Sequence, residues 1–249
     1  MPITEALIRT PIGYNMPVLA ERLQHLLPVI DLNGWRNILD IGAMDGWESV
    51  NLARVFPDAL IHAFEPSQAN CERCIKTYML QPANVRSRIG LSQVALADST
   101  GPIEFNAVDE ERAAAVKGKI NTGMGSLLKI ENPDMWPWEH NAQMSTTVQG
   151  YRLDDWCTEA KVDRVDAIWM DVQGAELHVL RGAENTLANI QVIMTEAGVK
   201  PYYHGHTLKP DIDQYLASKG FVELESAREQ AHEYEVNAIY VNTKFMKQN

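Results

Sequence analysis

The strongest constraint in the sequence is an apolar run that stops at a glycine turn. The run Ile38-Leu39-Asp40-Ile41 ends at Gly42, and Gly46 follows four residues later. The next apolar run, residues 60–64, ends in the carboxylate of Glu65. A strand, a glycine turn, a helix and a second strand that ends in an acid are typical of an α/β sheet that holds an adenosine, since the glycines admit the ligand and the acid binds its ribose.

The charges around this turn narrow the class of adenosine ligand. A dinucleotide site has the pattern G-x-G-x-x-G, with a helix N-terminus that faces a pyrophosphate. Here a third glycine is missing, and Asp40, Asp45 and Glu48 surround the turn. Carboxylates repel a pyrophosphate but suit a cationic ligand, which favours S-adenosylmethionine over a nicotinamide dinucleotide.

Composition excludes several kinds of partner. The 249 residues carry 22 basic and 33 acidic side chains, for a net charge of −11, and 45% of them are hydrophobic. An acidic chain without a basic block argues against nucleic acid or an anionic membrane as the main partner. We find no apolar run that suits a signal peptide or a membrane span, and therefore expect a cytoplasmic protein with reduced thiols. Cys71 and Cys74 form C-x-x-C without a second pair at zinc spacing, so buried packing is the preferred interpretation.

Alternating strand and helix signals predict an α/β fold: an open, mostly parallel sheet with helices on both faces. The domain is expected over residues 35–249, after a helical lead segment at residues 1–34. Strands are predicted at residues 37–41, 60–64, 94–97, 103–108, 146–153, 165–172, 192–194, 221–224 and 237–241. Helices are predicted at residues 47–56, 68–80 and 211–219, and after Gly174. An irregular insertion at about residues 109–145 contains Trp136 and Trp138, and we expect part of it to cover an acceptor pocket.

Acids follow the predicted parallel strands at the edge where such sheets bind ligands. In order along the chain they are Asp40, Glu65, Asp98, Asp171 and Glu196. Each acid has an alternative role as a helix cap or turn former, and for Asp98, which precedes a turn, the two roles are equally favoured.

Two histidines, His204 and His206, follow Glu196 in a loop. A histidine is a suitable general base for a hydroxyl nucleophile, although exposed loop histidines are also common. Our candidates for the catalytic group are therefore Asp171, Glu196, His204 and His206. Asp171 and Glu196 could also hold a divalent cation, a question that residue types alone leave open.

The segment from Trp169 to Ala183 resembles the hallmark of FkbM-family methyltransferases. That family usually reads D-x-E-G-x-E, followed by an L-x-G-A helix, where this chain has Asp171-Val172-Gln173-Gly174-Ala175-Glu176. Further matches fall in family order between residues 36 and 242. One departure is Gln173, where the family usually has Glu, and it puts metal binding and the usual substrate contacts at this position in doubt.

The resemblance implies a Rossmann-like class I methyltransferase fold with a seven-stranded sheet whose last strand is antiparallel. It also implies methyl transfer from S-adenosylmethionine to a hydroxyl, with Asp98 near the adenine and Asp171 beside the methyl group. With the strand-end pattern, it predicts the following cofactor-binding residues: Asp40, Gly42, Ala43, Asp45, Gly46, Glu48, Glu65, Pro66, Ser67, Asp98, Asp171 and Val172.

The predicted function is O-methylation of a sugar, glycan or natural product, by a chain that could form a homo-oligomer. Three alternatives stay open at this point. A methyltransferase-like domain without catalysis could serve as a binding module, and a nicotinamide-dependent oxidoreductase could use the same glycine turn. Methylation of nucleic acid is disfavoured by the acidity of the chain.

Overall fold

The computed structural model describes residues 16–111, 121–131 and 143–248. In this part of the chain the strands are β1 Asn37–Ile41, β2 Leu60–Phe64, β3 Ile89–Ser92, β4 Ala95–Leu96, β5 Gly101–Val108, β6 Gln143–Tyr151, β7 Ala167–Met170, β8 Val192–Gly198, β9 Phe221–Glu223, β10 Glu229–His232 and β11 Glu235–Asn242. The α-helices are α1 Met16–Leu26, α2 Trp47–Val55, α3 Gln68–Met79, α4 Ala83–Arg86, α5 Leu153–Ala160, α6 Glu176–Gly182 and α7 Lys209–Ser218.

The main sheet confirms the predicted α/β topology. Its strand order is β10-β11-β8-β7-β1-β2-β3, and β9 also pairs with β11. The strands β3, β2, β1, β7 and β8 are parallel neighbours, whereas β11 runs antiparallel to β8, β9 and β10. The last strand, β11, is therefore antiparallel to the parallel strands, as expected. In the part of the chain that the structure describes, the sheet has eight strands where the resemblance implies seven, and the additional one is β10, a short hairpin partner of β11.

Helices cover both faces of this sheet because successive strand residues point to opposite sides. On one face, Ile38 and Val192 pack with apolar residues of α1, α2 and α3. On the other face, Leu39 and Ile193 pack with residues of α5, α6 and α7. The parallel strands β1, β2, β7 and β8 are largely buried between these layers, which explains why they read as apolar runs.

The prediction for residues 94–97 as a strand of the main sheet is wrong. Only β4 is extended there, and it pairs with β6 in a separate sheet of order β4-β6-β5. On the side of β2 away from β1, the main-sheet neighbour is β3, a strand that was not predicted from the sequence. The strand β3 is a short, half-exposed edge strand that contains Gly90, so it lacks the apolar pattern of the buried strands.

Other boundaries moved without changing the architecture. The strand predicted at residues 146–153 spans Gln143–Tyr151, and α5, which was not predicted, begins at Leu153. The predicted lead helix is present as α1, whose Leu19, Leu23 and Leu26 are buried. Residues 1–15 and the tryptophans Trp136 and Trp138 lie outside the described residues, so the boundaries of the lead segment and the insertion stay predictions. No helix in the described part of the chain is long and apolar enough to cross a bilayer.

Candidate cofactor and acceptor site

Gly42 fixes the contact between the glycine turn and the end of β7. Its φ of 88° lies in the left-handed region, and a Cβ there would lie 1.9 Å from the carbonyl oxygen of Asp171. The backbone N–H groups of Gly42 and Ala43 donate to the carbonyl of Phe64, at 2.9 and 3.0 Å. The turn after β1 is thus tied to the ends of β2 and β7, and only glycine fits at its centre.

The second glycine packs against a helix. Gly46 has a φ of 80°, and a Cβ there would lie 2.5 Å from the ring of Tyr78 in α3. The Tyr78 hydroxyl donates to Ser49 Oγ at 3.0 Å, and Ser49 donates to Asp40 Oδ2 at 2.5 Å. Asp40 is buried in β1, and burial raises its pKa to about 6. Asp40 and Gly46 therefore hold α2 and α3 on the sheet and do not line the cavity described below.

Glu65 lies at the end of β2 with 4% of its surface exposed. Its Oε1 accepts from the backbone N–H of Ser67 at 2.8 Å, and its Oε2 accepts from that of Met44 at 2.9 Å. Burial raises its pKa to about 7. Ser67 caps the N-terminus of α3 by accepting from the N–H of Asn70. Both carboxylate oxygens are therefore held by neighbouring loops beside the cavity.

A cavity lies at the carboxyl edge of the sheet, where ligands bind in folds of this type. It encloses about 600 Å³ between its lining atoms, part of which is open to solvent. Its walls come from the ends of β1, β2 and β7 and from residues of β4, β5 and the segment 123–127. Its lining residues are Ile41, Gly42, Met44, Phe64, Glu65, Pro66, Asn70, Val94, Ala95, Leu96, Phe105, Gly123, Gly125, Ser126, Leu127, Asp171, Val172 and Ala175.

Some of the predicted cofactor residues line this cavity and others do not. The lining residues among them are Gly42, Glu65, Pro66, Asp171 and Val172. Those outside the lining are Asp40, Ala43, Asp45, Gly46, Glu48, Ser67 and Asp98. The second group shapes the loops, as in the bond from the Trp47 N–H to Asp45 Oδ1 at 3.3 Å.

Asp98 lies away from the place expected for it. Its Oδ2 is 2.8 Å from Nδ1 of His178 in α6, and it is not a lining residue of the cavity. The cavity instead meets the neighbouring residues Val94, Ala95 and Leu96. The family resemblance implied a place near the adenine for Asp98, and that role stays a prediction.

Asp171 and Glu196 form a buried pair of carboxyl groups. Asp171 follows β7, and its backbone N–H donates to Ile41 at 2.9 Å. Its side chain is hydrogen-bonded to Glu196, which lies within β8 and not at the end of that strand. Burial raises the pKa of both groups, and the nearby Asp171 helps to raise that of Glu196 to about 9. A hydrogen bond between two carboxyl groups requires a proton on one of them, so this contact is one between an acid and a carboxylate.

Gln173 connects this pair to the rest of the site. Its Nε2 donates to Asp171 Oδ1 at 2.7 Å, and its Oε1 accepts from the Tyr203 hydroxyl at 3.0 Å. Its backbone carbonyl accepts from Ser126 Oγ at 2.8 Å. Its φ of 54° is unusual for a residue with a Cβ, so these contacts hold a backbone conformation that the residue disfavours.

The two histidines do not join Asp171 in the cavity. His206 Nδ1 accepts from the backbone N–H of Tyr202 at 3.1 Å, and its ring lies against Gly174 and Gly198. Burial lowers its pKa, and the ring faces a separate cleft between α6 and α7. His204 is exposed, and its backbone N–H donates to Lys129 at 2.7 Å. The geometry therefore gives no support to either histidine as the base.

The segment 121–128 belongs to the insertion that the sequence predicts to cover an acceptor pocket, and its residues 123–127 line one side of the cavity. Asn70 of α3 donates to the carbonyl of Thr122 at 3.0 Å, and Ser126 exchanges backbone hydrogen bonds with Asn106 of β5. The available signal was the pair Gly123 and Gly125. A Cβ at either glycine would come within 2.9 Å of a side chain, Met44 or Phe105 respectively.

The C-x-x-C pair, Cys71 and Cys74, packs against the loops that follow β1 and β2. Cys71 Sγ donates to the carbonyl of Glu65 at 3.1 Å, and Cys74 Sγ donates to that of Met44 at 3.4 Å. Both thiols are free and buried, and burial raises the pKa of Cys71 to about 12. These contacts agree with the packing interpretation. In the described ranges, no three His, Cys, Asp or Glu side chains are grouped so that they could hold a metal ion.

The strand order, the glycine turn and the buried acid after β2 define a Rossmann-like protein of the class I methyltransferase type. Residues 40–223 match the family described as the methyltransferase FkbM domain. Because this match covers most of the chain, the chain belongs to the FkbM methyltransferase family.

Individual relatives agree with this family. The 2-O-methyltransferase NoeI of Sinorhizobium fredii is 33% identical over 171 residues, which are 68% of this chain and 65% of NoeI. The methyltransferase sdnD of Sordaria araneosa is 25% identical over 217 residues, 79% of this chain and 78% of that protein. The chain thus spans slightly less than two thirds of NoeI. Among solved structures, M. capricolum TrmK with S-adenosyl-homocysteine shares 9% identity over 96% of this chain and 71% of that one, with a TM-score of 0.46, a similarity too distant to support an argument.

Proposed function

We propose that the protein transfers a methyl group from S-adenosylmethionine to a hydroxyl of a sugar, a glycan or a natural product. The observation that carries this proposal is one cavity that brings together Gly42, the buried carboxylate of Glu65 and the carboxylate of Asp171. The family match favours methyl transfer over the nicotinamide alternative. The name of NoeI, a 2-O-methyltransferase, supports oxygen as the acceptor atom.

The cavity residues suit S-adenosylmethionine in both shape and charge. Glu65 would accept hydrogen bonds from the ribose hydroxyls, and Gly42 leaves backbone surface where a side chain would stand. Among the described residues, the lining contains carboxylates but no Lys or Arg, which suits a ligand with a sulfonium and an ammonium group. When bound, this cofactor supplies a methyl group that is already activated by the positive sulfur.

Asp171 is the best placed group to take the proton of an acceptor hydroxyl. Glu65 and Asp171 are the carboxylates of the lining in residues 16–111, 121–131 and 143–248, and Glu65 already accepts from the backbone N–H groups of two loops. Burial raises the pKa of Asp171, which makes it a stronger base than an ordinary carboxylate. The proton would move from the acceptor oxygen to Asp171 while the oxygen bonds to the methyl carbon, and the carbon–sulfur bond would break with its electron pair going to sulfur, which gives S-adenosylhomocysteine. The walls of the cavity would contribute the remainder of the rate enhancement, because they exclude water and align the acceptor oxygen with the methyl group.

Calorimetric titration with S-adenosylhomocysteine, with NAD as comparison, tests the cofactor. Wild-type protein should bind the former and not the latter. Glu65→Gln removes charge-assisted hydrogen bonds to the ribose and should weaken binding roughly tenfold to hundredfold. Asp98→Asn is the matched control, since it neutralises an acid outside the cavity lining and should leave affinity unchanged. Equal loss in both variants, or tight NAD binding, would contradict the proposed site.

Turnover tests the assignment of the base. With a panel of hydroxylated glycans and natural products as acceptors, Asp171→Asn should lower kcat by roughly 10²- to 10⁴-fold. Its affinity for S-adenosylhomocysteine should stay within a few-fold of wild type. His204→Asn and His206→Asn serve as comparisons, because neither ring lines the cavity. Full turnover by Asp171→Asn together with a loss in a histidine variant would reverse the assignment.

A further inference from the structure

Gln173 is oriented without ambiguity by its two partners. The Tyr203 hydroxyl lies 3.0 Å from one end of the amide, and the Asp171 carboxylate lies 2.7 Å from the other. A carboxylate accepts and does not donate, so the amide nitrogen must face Asp171 and the amide oxygen must face Tyr203. The amide thus bridges a phenol and a carboxylate in one fixed orientation.

This orientation determines which atom of Asp171 is available. Oδ1 receives the amide N–H, and the side chain is also hydrogen-bonded to Glu196. An N–H donor beside a carboxylate occupies the place that a cation would need. A divalent cation that binds this pair would have to break both the amide contact and the hydrogen bond between Asp171 and Glu196. In the described residues, no third carboxylate, His or Cys is grouped with the pair.

We propose that Gln173 is a positioning residue that does the work of a bound cation: its amide holds Asp171 by Oδ1, directs the remaining lone pairs of this carboxylate toward the acceptor hydroxyl, and makes the site independent of divalent metal. The part that concerns turnover rests on the function proposed above. The part that concerns the metal stands on the donor set alone.

Electron paramagnetic resonance of Mn²⁺ tests the metal directly, without cofactor or acceptor. Wild-type protein should leave Mn²⁺ free up to about 1 mM, because the pair offers no cage of several oxygen ligands. Gln173→Glu replaces the amide donor with a third carboxylate near Asp171 and Glu196, and this variant should bind about one Mn²⁺ at least tenfold more tightly. The charge-matched control is Gln149→Glu on the exposed surface of β6, which should behave as wild type.

The metal test has two clear contrary results. Tight stoichiometric Mn²⁺ binding by wild type would overturn the proposal. Equal binding by wild type, Gln173→Glu and Gln149→Glu would also overturn it, since the amide would then not be what excludes the cation. Thermal unfolding of each variant shows that it is folded before the titration.

Steady-state kinetics test the positioning role. Gln173→Asn tolerates the left-handed backbone but is one methylene too short to reach both Asp171 and Tyr203. It should lower kcat roughly tenfold to hundredfold, with little change in the affinity for S-adenosylhomocysteine. Tyr203→Phe removes only the hydroxyl that fixes the amide oxygen and should give a smaller loss in kcat.

The kinetic results separate this proposal from the proposed function. Chelation with EDTA should leave wild-type turnover unchanged, and loss of turnover with EDTA would overturn the cation-independent site. Unchanged kcat in Gln173→Asn would overturn the positioning role. Failure of the wild type to bind S-adenosylhomocysteine would instead count against the methyltransferase proposal, and the Mn²⁺ measurement would still decide the metal.

Discussion

Gly34 and Gly42 have the same backbone conformation but different surroundings, so alanine substitutions at the two positions distinguish the cost of backbone strain from the cost of a steric collision. Gly34 and Gly42 have φ values of 82° and 88°, but a Cβ at Gly34 would meet nothing within 4 Å, whereas one at Gly42 would meet the carbonyl of Asp171. Gly34→Ala should lower the free energy of unfolding by about 1–2 kcal/mol, the cost of left-handed backbone for alanine. Gly42→Ala should lower the free energy of unfolding by about 1–3 kcal/mol more than Gly34→Ala does, because the added methyl group overpacks the turn against β7.

Chemical denaturation of both variants measures this difference. Gly42→Ala should also weaken binding of S-adenosylhomocysteine, because relief of the collision must move the glycine turn away from β7. Gly34→Ala should bind as wild type does. Similar stability losses in the two variants would mean that the turn and β7 are not held in contact in solution.

Sequence order places single residues at the strand ends but does not show which of their side chains reach the cavity. Gly42 and Glu65 follow buried strands and lie in the cavity. Asp40 is also an acid near the end of a buried strand, yet its carboxyl group accepts from the hydroxyl of Ser49 and does not line the cavity. Order along the chain cannot show this difference, because it depends on which face of β1 each side chain leaves and what packs there.

The segment 121–128 is the element whose attachment to the site is most easily tested. Ser126 Oγ donates to the carbonyl of Gln173 and accepts from the N–H of Leu128 at 3.0 Å. Ser126→Ala removes both bonds, at a cost of about 1 kcal/mol each, and should increase amide hydrogen exchange in this segment. S-adenosylhomocysteine should dissociate several-fold faster from the variant.

The control for this prediction is Ser218→Ala in α7. Its hydroxyl donates to a backbone carbonyl within its own helix at 2.6 Å, away from the cavity. Exchange in the segment 121–128 and dissociation of the ligand should be unchanged in this variant. A Ser126→Ala protein that matches the control in both measurements would show that the segment does not depend on this hydroxyl.

Elements were predictable in proportion to their burial. The strands β1, β2, β7 and β8 are enclosed on both faces and read as apolar runs, so their positions follow from sequence. The strand β3 is half exposed and has no such pattern. The helix α5 begins two residues after β6 ends, without the glycine or proline that would have marked the boundary.

At the scale of the whole molecule, buried acids should make the protein less stable as the pH rises. Burial raises the pKa of Glu176 to about 8 and helps to raise that of Glu196 to about 9, from an ordinary value of 4.5. Between pH 4.5 and these raised pKa values, the folded chain binds more protons than the unfolded chain. The protonated acids therefore contribute their full stabilisation of the fold below pH 4.5, and this contribution is lost as the pH rises through the pKa values of the folded state. His62 and His206, whose folded pKa values are lowered, act in the opposite direction only near and below 6.5.

Thermal unfolding of the ligand-free protein between pH 7 and 9 measures this effect. The Tm should fall across this range by roughly 2–4 °C for each kcal/mol lost. Glu176→Gln keeps an oxygen that can accept from the N–H of Gly174 and removes the titrating proton, so the fall should be smaller in this variant. A Tm that is flat or rises between pH 7 and 9 in the wild type would contradict the buried acids.

The outer boundaries of the main sheet have a consequence for how the chain behaves at high concentration. One edge is β3, and the other is formed by β9 and β10 placed end to end along β11. Each of these strands has at most four residues. Long, flat edges recruit strands from other chains and lead to aggregation, whereas short ones offer too few unpaired backbone groups to act as templates. The additional strand β10 thus helps to cover β11, the long antiparallel strand whose backbone would otherwise be open to pairing with another chain.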